Sequence, residues 1–188
     1  PRLGAEAWAR LIVPVGSDVK LSWNGSDRAS QRLVMVNNDF EQNMENLRTF
    51  IRVRDEHAAN GGNYCFVTLQ MTFMEMNLHQ IPRVVELAIA EGVDRVKGHH
   101  LWAHFEEIKD EDLRRNHDAI HRWNTIVKEC QQIARDNPLP NGKQIVLANI
   151  YELDASYEGE LHPEAVCPFL GQEAWVNHEG RFDPCCSP

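Results

Sequence analysis

The chain has 188 residues, enough for one ordinary domain or for a large piece of a barrel with an appendage. A hydrophobic fraction of 43% and a charged fraction of 25% are those of a globular rather than a disordered protein. The formal net charge of -9 argues against a nucleic-acid or anionic-membrane surface, both of which need clustered Lys and Arg.

No apolar run approaches bilayer length, and the N-terminus lacks the charged-then-apolar pattern of a signal peptide, so a cytosolic location is expected. The sequence opens on Pro1 without an initiator Met, which leads us to expect the C-terminal part of a longer protein.

Gly4 to Ile12, with Ala5, Ala7, Trp8, Ala9 and Leu11, has helical character, and Pro14 ends it. Asp18 to Trp23 alternates as a short strand running into the turn dipeptide Asn24-Gly25, with polar Ser26-Asp27 beyond. Asp39 is placed to cap a helix whose apolar residues Phe40, Met44, Leu47, Phe50 and Ile51 recur at helical spacing until Asn60-Gly61-Gly62.

Tyr64 to Phe73 is nearly continuous in apolar and β-branched residues, as expected for a strand covered on both faces. A helix beginning near Asn77 runs through Ile81, Val84, Val85, Leu87 and Ala88 to Gly92, and Val93 to Lys97 follows as a strand. Beyond Gly98-His99-His100-Leu101-Trp102 comes a long helix over about Asp110 to Arg135, closed by Asn137-Pro138-Leu139-Pro140-Asn141-Gly142. Gln144 to Tyr151 is a further strand. Strands and helices alternating over short connections predict parallel βα units.

An acidic stretch, Glu152 to Glu164, precedes the cysteines. Ala174, Val176 and Phe182 predict the strands of a short hairpin whose turn is His178-Glu179-Gly180-Arg181. Such a hairpin brings Cys167 towards Cys185 and Cys186. Thiolates gathered in this way, in a chain with no export signal, suit a soft metal or an iron–sulfur cluster better than a disulfide. Cys65 and Cys130 fall on predicted strand and helix faces, where a reduced core thiol is the simpler reading.

The spacing of Cys167, Gly180 and Cys185, with Trp175-Val176-Asn177 and Gly180-Arg181-Phe182 between them, resembles the opening half of the SPASM domain, which carries auxiliary clusters in many radical SAM enzymes. The resemblance implies an α/β fold: residues 1–151 as the second half of a partial (β/α)6 radical SAM barrel, 152–164 as a linker, and 165–188 as the N-terminal part of a SPASM domain. It implies S-adenosylmethionine and [4Fe–4S] clusters as cofactors, a peptide or other macromolecular substrate, and a flavodoxin or ferredoxin as electron donor.

Carried over residue by residue, Ser22-Trp23-Asn24-Gly25 is similar to the family's Ser-x-Asp-Gly motif, with Asn24 in place of aspartate. The position aligned with a cofactor-contacting arginine is Met35, so Arg28 or Arg32 would have to substitute. Cys167, Cys185 and Cys186 stand as metal ligands, and His99 and His100 stand at the substrate side. The Cys-x3-Cys-x2-Cys triad of the radical SAM cluster does not occur in these residues.

A second class of function is a zinc-stabilised, non-catalytic α/β binding module with Cys167, His178, Cys185 and Cys186 as a closed tetrahedral set. His117 and His121 lie one helical turn apart but in a charged, solvated helix, which favours a surface role for both.

Overall fold

The computed structural model describes residues 4–103, 105–156, 175–176 and 179–183, and the chain divides into two compact units, Pro1–Ala155 and Ser156–Pro188. In the first unit the order is α1 (Ala5–Ile12), β1 (Asp18–Ser22), α2 (Arg28–Val34), α3 (Phe40–Ala59) and β2 (Phe66–Phe73). A 3-10 segment (Glu75–Gln80) then leads into α4 (Ile81–Glu91) and β3 (Arg95–His100). A second 3-10 segment (Glu106–Glu111), α5 (His117–Asp136) and β4 (Val146–Ala148) complete the unit. The second unit is described through β5 (Trp175–Val176) and β6 (Phe182–Asp183), an antiparallel pair with Gly180 at φ 78° between them. Among the described residues no helix is long and apolar enough to cross a membrane.

The four strands of the first unit form one parallel sheet in the order β1-β2-β3-β4. Alternation along the strands divides their side chains between two faces. On one face Val19 and Leu21 lie beside Val67 and Leu69, which lie beside Val96. Leu21, Val67, Leu69, Val96, Met71 and Phe73 pack under Met44, Leu47 and Ile51 of α3, Val84, Val85 and Ala88 of α4, and Trp123, Val127 and Cys130 of α5, while Val19 packs with Ala9, Val13, Val53 and Cys65. Full burial of each large apolar side chain contributes about 2 kcal/mol, so this face dominates the stability of the unit.

The opposite face is largely polar. Its rows are Asp18 and Phe66, then Lys20, Thr68, Arg95 and Val146, then Ser22, Gln70, Lys97 and Ala148, then Thr72 and His99, so it is polar in β1–β3 apart from Phe66 and apolar in β4. The expectation that the β2 segment is covered on both faces therefore needs correction. Val67, Leu69, Met71 and Phe73 are fully buried, whereas on the other face Gln70 and Thr72 are half-buried and Phe66 is exposed, and only Thr68 is fully buried there. The run is continuous in apolar and β-branched character, but only every second residue meets a helix.

Several boundaries differ from those expected of the sequence. The short helix α2 has few apolar residues to announce it, and polar contacts hold it instead. The Asp27 carboxylate accepts from Ser30 N at 2.9 Å, and Ser30 Oγ accepts from Asp27 N at 3.3 Å, closing a capping box. The last long helix starts at His117 rather than near Asp110, because Asn116 Oδ1 takes the Ala119 N–H at 2.8 Å and caps it there. β3 runs on to His100, and β4 is only three residues long, ending where Asn149 turns to φ 62°.

At the N-terminal ends of β2 and β3 lies a buried ion pair. Asp94 Oδ2 accepts from Arg54 Nη1 and from Val67 N, both at 2.8 Å, while Asp94 Oδ1 accepts from Tyr64 Oη at 2.6 Å. Arg54 is 1% exposed and Asp94 4%, so neither charge is solvated; Asp94 relies on Arg54, which also donates Nε to the more exposed Asp55 Oδ1 at 2.8 Å. Burial, and then the hydrogen bond to Asp94, pushes the Tyr64 hydroxyl well above the usual phenol range.

Candidate functional site

The C-terminal ends of the parallel strands are where barrel-type sheets gather their chemistry, and the loop after β1 is held there by several hydrogen bonds. Trp23 N donates to Gln70 O at 2.8 Å, continuing the ladder one residue past Ser22. Asn24 Oδ1 then accepts from Thr72 N at 2.8 Å, and Asn24 N donates to Gln31 Oε1 at 2.7 Å. Asn77 Nδ2 donates to Thr72 O at 2.9 Å, and Asn77 Oδ1 accepts from Met74 N at 3.0 Å. The loops that follow β1 and β2 are thus tied to each other through side-chain amides.

Asn24, Gln31 and Asn77 are all buried. At Gly25 a Cβ would stand 2.6 Å from Gln31 N, so only glycine lets α2 come this close.

Each sequence-derived candidate takes a different place in this rim. Ser22 is exposed, lies on the polar face beside Gln70, and its hydroxyl makes no hydrogen bond among the described residues. The side-chain oxygen of Asn24 is committed to the backbone of β2, and a carboxylate oxygen would accept the same N–H. Arg28 is exposed and forms a forked pair with Glu41, Nε to Oε1 at 3.0 Å and Nη2 to Oε2 at 2.5 Å. That pairing holds the Glu41 carboxyl below its ordinary value, through the Arg28 hydrogen bonds first. Arg32 is exposed in the last turn of α2. Met35 lines a cavity of about 470 Å³ with Trp8, Lys20, Leu21, Trp23 and Phe50, at the free edge of β1.

His99 and His100 do not act as one site, because consecutive strand residues face opposite ways. His99 lies on the polar face beside Thr72 and is exposed. His100 turns to the helices, with its ring 4.5 Å from Trp123 and 5.6 Å from Phe73. Its Nδ1 is buried without a hydrogen-bond partner. The expectation that both imidazoles serve a substrate pocket is therefore divided by strand alternation, with His99 alone on the open face.

Burial, and secondarily Arg114, pushes the His100 pKa down from 6.5 to about 4. The unfolded chain thus binds the proton first as the pH falls, so stability is complete above pH 6.5 and drains away towards pH 4. A loss on the order of 2 kcal/mol is expected, after allowance for the part of the ring that water still reaches. Urea unfolding midpoints at pH 7 and pH 4.5 measure it. His100→Phe should remove most of the slope between them.

The charges on the polar face are Asp18, Lys20, Arg95 and Lys97. Arg95 pairs with Asp18 Oδ2 at 3.3 Å, and Thr68 Oγ1 donates to Asp18 Oδ1 at 2.9 Å, which neutralises the lower row. Lys20 and Lys97 have no such partner among the described residues.

Sequence reasoning missed Arg54, Asp94, Gln31 and Asn77. For Arg54 a signal was available: it continues the apolar stripe of Met44, Leu47 and Ile51 at helical spacing, where a charge is buried and must be paired.

Cys65 and Cys130 are buried free thiols, and burial pushes Cys130 up to about 12, so both are unreactive core residues. Among the described residues no group of three His, Cys, Asp or Glu side chains could hold a metal ion. Cys167, His178, Cys185 and Cys186 lie outside the described residues. No protein-family model, curated protein or solved structure matches the chain.

Proposed function

We propose that this chain is part of a radical SAM enzyme with a SPASM domain, contributing an arc of a partial (β/α)6 barrel and the first auxiliary-cluster ligands. The observation that carries the reading is the sheet. Four parallel strands in sequential order pack their helices against one face and leave the other largely polar in β1–β3, with Ser22 at a strand's C-terminal end. A doubly wound sheet would reverse its strand order and cover both faces, whereas an arc of a barrel keeps its order and turns the uncovered face inward. The antiparallel pairing of Trp175-Val176 with Phe182-Asp183 around Gly180 supports the hairpin part of the reading.

Ser22 fits the cofactor role, since its hydroxyl is exposed and uncommitted where strand-end chemistry gathers. Asn24 acts by fixing the loop that presents Ser22. Arg28 would have to leave Glu41 to meet a ligand, which makes Arg32 the better candidate for the cofactor carboxylate. S-adenosylmethionine supplies, when bound, the radical-initiating chemistry that the resemblance implies. Because the Cys-x3-Cys-x2-Cys triad is not among these 188 residues, turnover belongs to a polypeptide that provides it, acting in the cytosol on a peptide or protein with electrons from a flavodoxin or ferredoxin.

Anaerobic reconstitution with ferrous iron and sulfide tests the reading on the chain itself. A brown protein with bound iron is expected, and Cys167→Ala with Cys185→Ala should remove most of the iron. Colourless protein that takes up zinc instead, or equal iron in the double variant, would overturn it.

A further inference from the structure

We infer that the cavity at the free edge of β1 is a binding site for a small, uncharged, planar heteroaromatic molecule whose ring acceptor takes the indole N–H of Trp23. The inference goes beyond the proposed function, because it uses the helix-covered side of β1 and requires neither iron nor S-adenosylmethionine.

Three side-chain nitrogens are buried without a hydrogen-bond partner among the described residues: Trp23 Nε1, Gln31 Nε2 and His100 Nδ1. Trp23 alone of these residues lines the cavity of about 470 Å³ at the β1 edge. It is 2% exposed, and its ring is held against Phe40 with the centroids 5.7 Å apart. A buried N–H without an acceptor is costly, so a ligand that supplies one is favoured. The volume lies within the range of small-molecule sites.

The lining selects the ligand class. Trp8 and Phe50 present aromatic surface, and Leu21, Met35 and Leu47 present aliphatic surface, which together suit a flat ring system. No Asp or Glu lines the cavity, so a cation finds no counter-charge, and a full charge of either sign would leave water for a largely apolar lining. Asn46 also lines it; its Oδ1 accepts from Gln42 Nε2 at 3.1 Å, which leaves the amide N–H groups for the edge of a ligand.

Trp23 belongs to the core cluster on the helix side of the sheet, together with Leu47. A polypeptide strand paired along the edge of β1 would place its backbone in the plane of the sheet, so backbone pairing by itself leaves the indole donor unmatched.

The test titrates quinoline into the nitrogen-15-labelled 188-residue chain, with indole as the comparison. Quinoline is neutral near pH 7 and carries a ring acceptor, whereas indole is of similar size and carries a donor instead. The chain has five tryptophans, and loss of one indole N–H signal in Trp23→Phe assigns that of Trp23. Quinoline should move this signal downfield and bind with a dissociation constant of about 1 mM or tighter, at least about tenfold more tightly than indole. Trp8→Ala and Asn46→Ala, both at exposed positions, should each weaken quinoline about three- to tenfold, while Val15→Ser, exposed and outside the cavity, should not.

An unmoved Trp23 signal, equal affinity for quinoline and indole, or no effect of either Trp8→Ala or Asn46→Ala would overturn the inference. A dimer that Trp8→Ala converts to monomer in sedimentation would give the cavity to a second copy and overturn it as well. Circular dichroism of each variant keeps a folding defect from counting as lost binding. The titration needs no iron, so the ligand inference and the cluster reading can fail independently.

Discussion

Asp94→Leu is expected to destabilise the first unit by about 3 kcal/mol, because it leaves Nη1 of the buried Arg54 guanidinium without its carboxylate and only the exposed Asp55 on Nε. The same change leaves Val67 N and Tyr64 Oη without their acceptor at the start of β2. A urea titration would show the midpoint falling with little change in slope. Adding Arg54→Met to that variant removes the stranded charge and should recover part of the loss. Recovery should stay incomplete, since Val67 N and Tyr64 Oη remain unpaired. A midpoint unchanged by Asp94→Leu would show that the pair is not buried as described. The cost falls at the N-terminal ends of the strands, away from the Ser22 rim, so damage there is to stability rather than to the proposed chemistry.

The second large effect is expected at Gly98→Ala. A Cβ at this position would stand 2.1 Å from Phe73 Cζ, and the Phe73 ring has little room to move, with Trp123 at 4.8 Å and His100 at 5.6 Å. Overpacking of this kind costs about 2–3 kcal/mol. In a Phe73→Leu background the same substitution should cost about half as much or less, because the obstructing ring is gone. Equal costs in both backgrounds would contradict the contact. Calorimetric melting of the four proteins measures the coupling directly.

How much of this was legible beforehand differs from element to element. The helix over Phe40–Ala59 was visible in its apolar spacing and its Asp39 cap, and Asp39 Oδ1 does accept from Gln42 N at 3.2 Å. The helix α4 ends at Gly92, as its sequence indicates, and β1 and β2 lie where alternation and β-branched residues place them. These signals are local, written within a few residues of the structure they produce. The helix α2 escaped notice because its anchor, Gln31, is a polar residue fully buried by a hydrogen bond to Asn24, seven positions away. His99 and His100 read as a pair along the chain, yet the strand extends through both and sends them to opposite faces.

The sequence by itself determined the kind and order of the strands and of every helix of the first unit except α2, and the Ser22-Trp23-Asn24-Gly25 turn at a strand end, because periodicity and capping act over one or two helical turns. Only the tertiary structure decided which face of the sheet the helices cover and that Asn24 spends its side-chain oxygen on Thr72. It alone paired Arg54 with Asp94, 40 residues apart, and Arg95 with Asp18 across the sheet. Those outcomes depend on strand register and on desolvation, and both are set by segments that meet in space although they are remote along the chain.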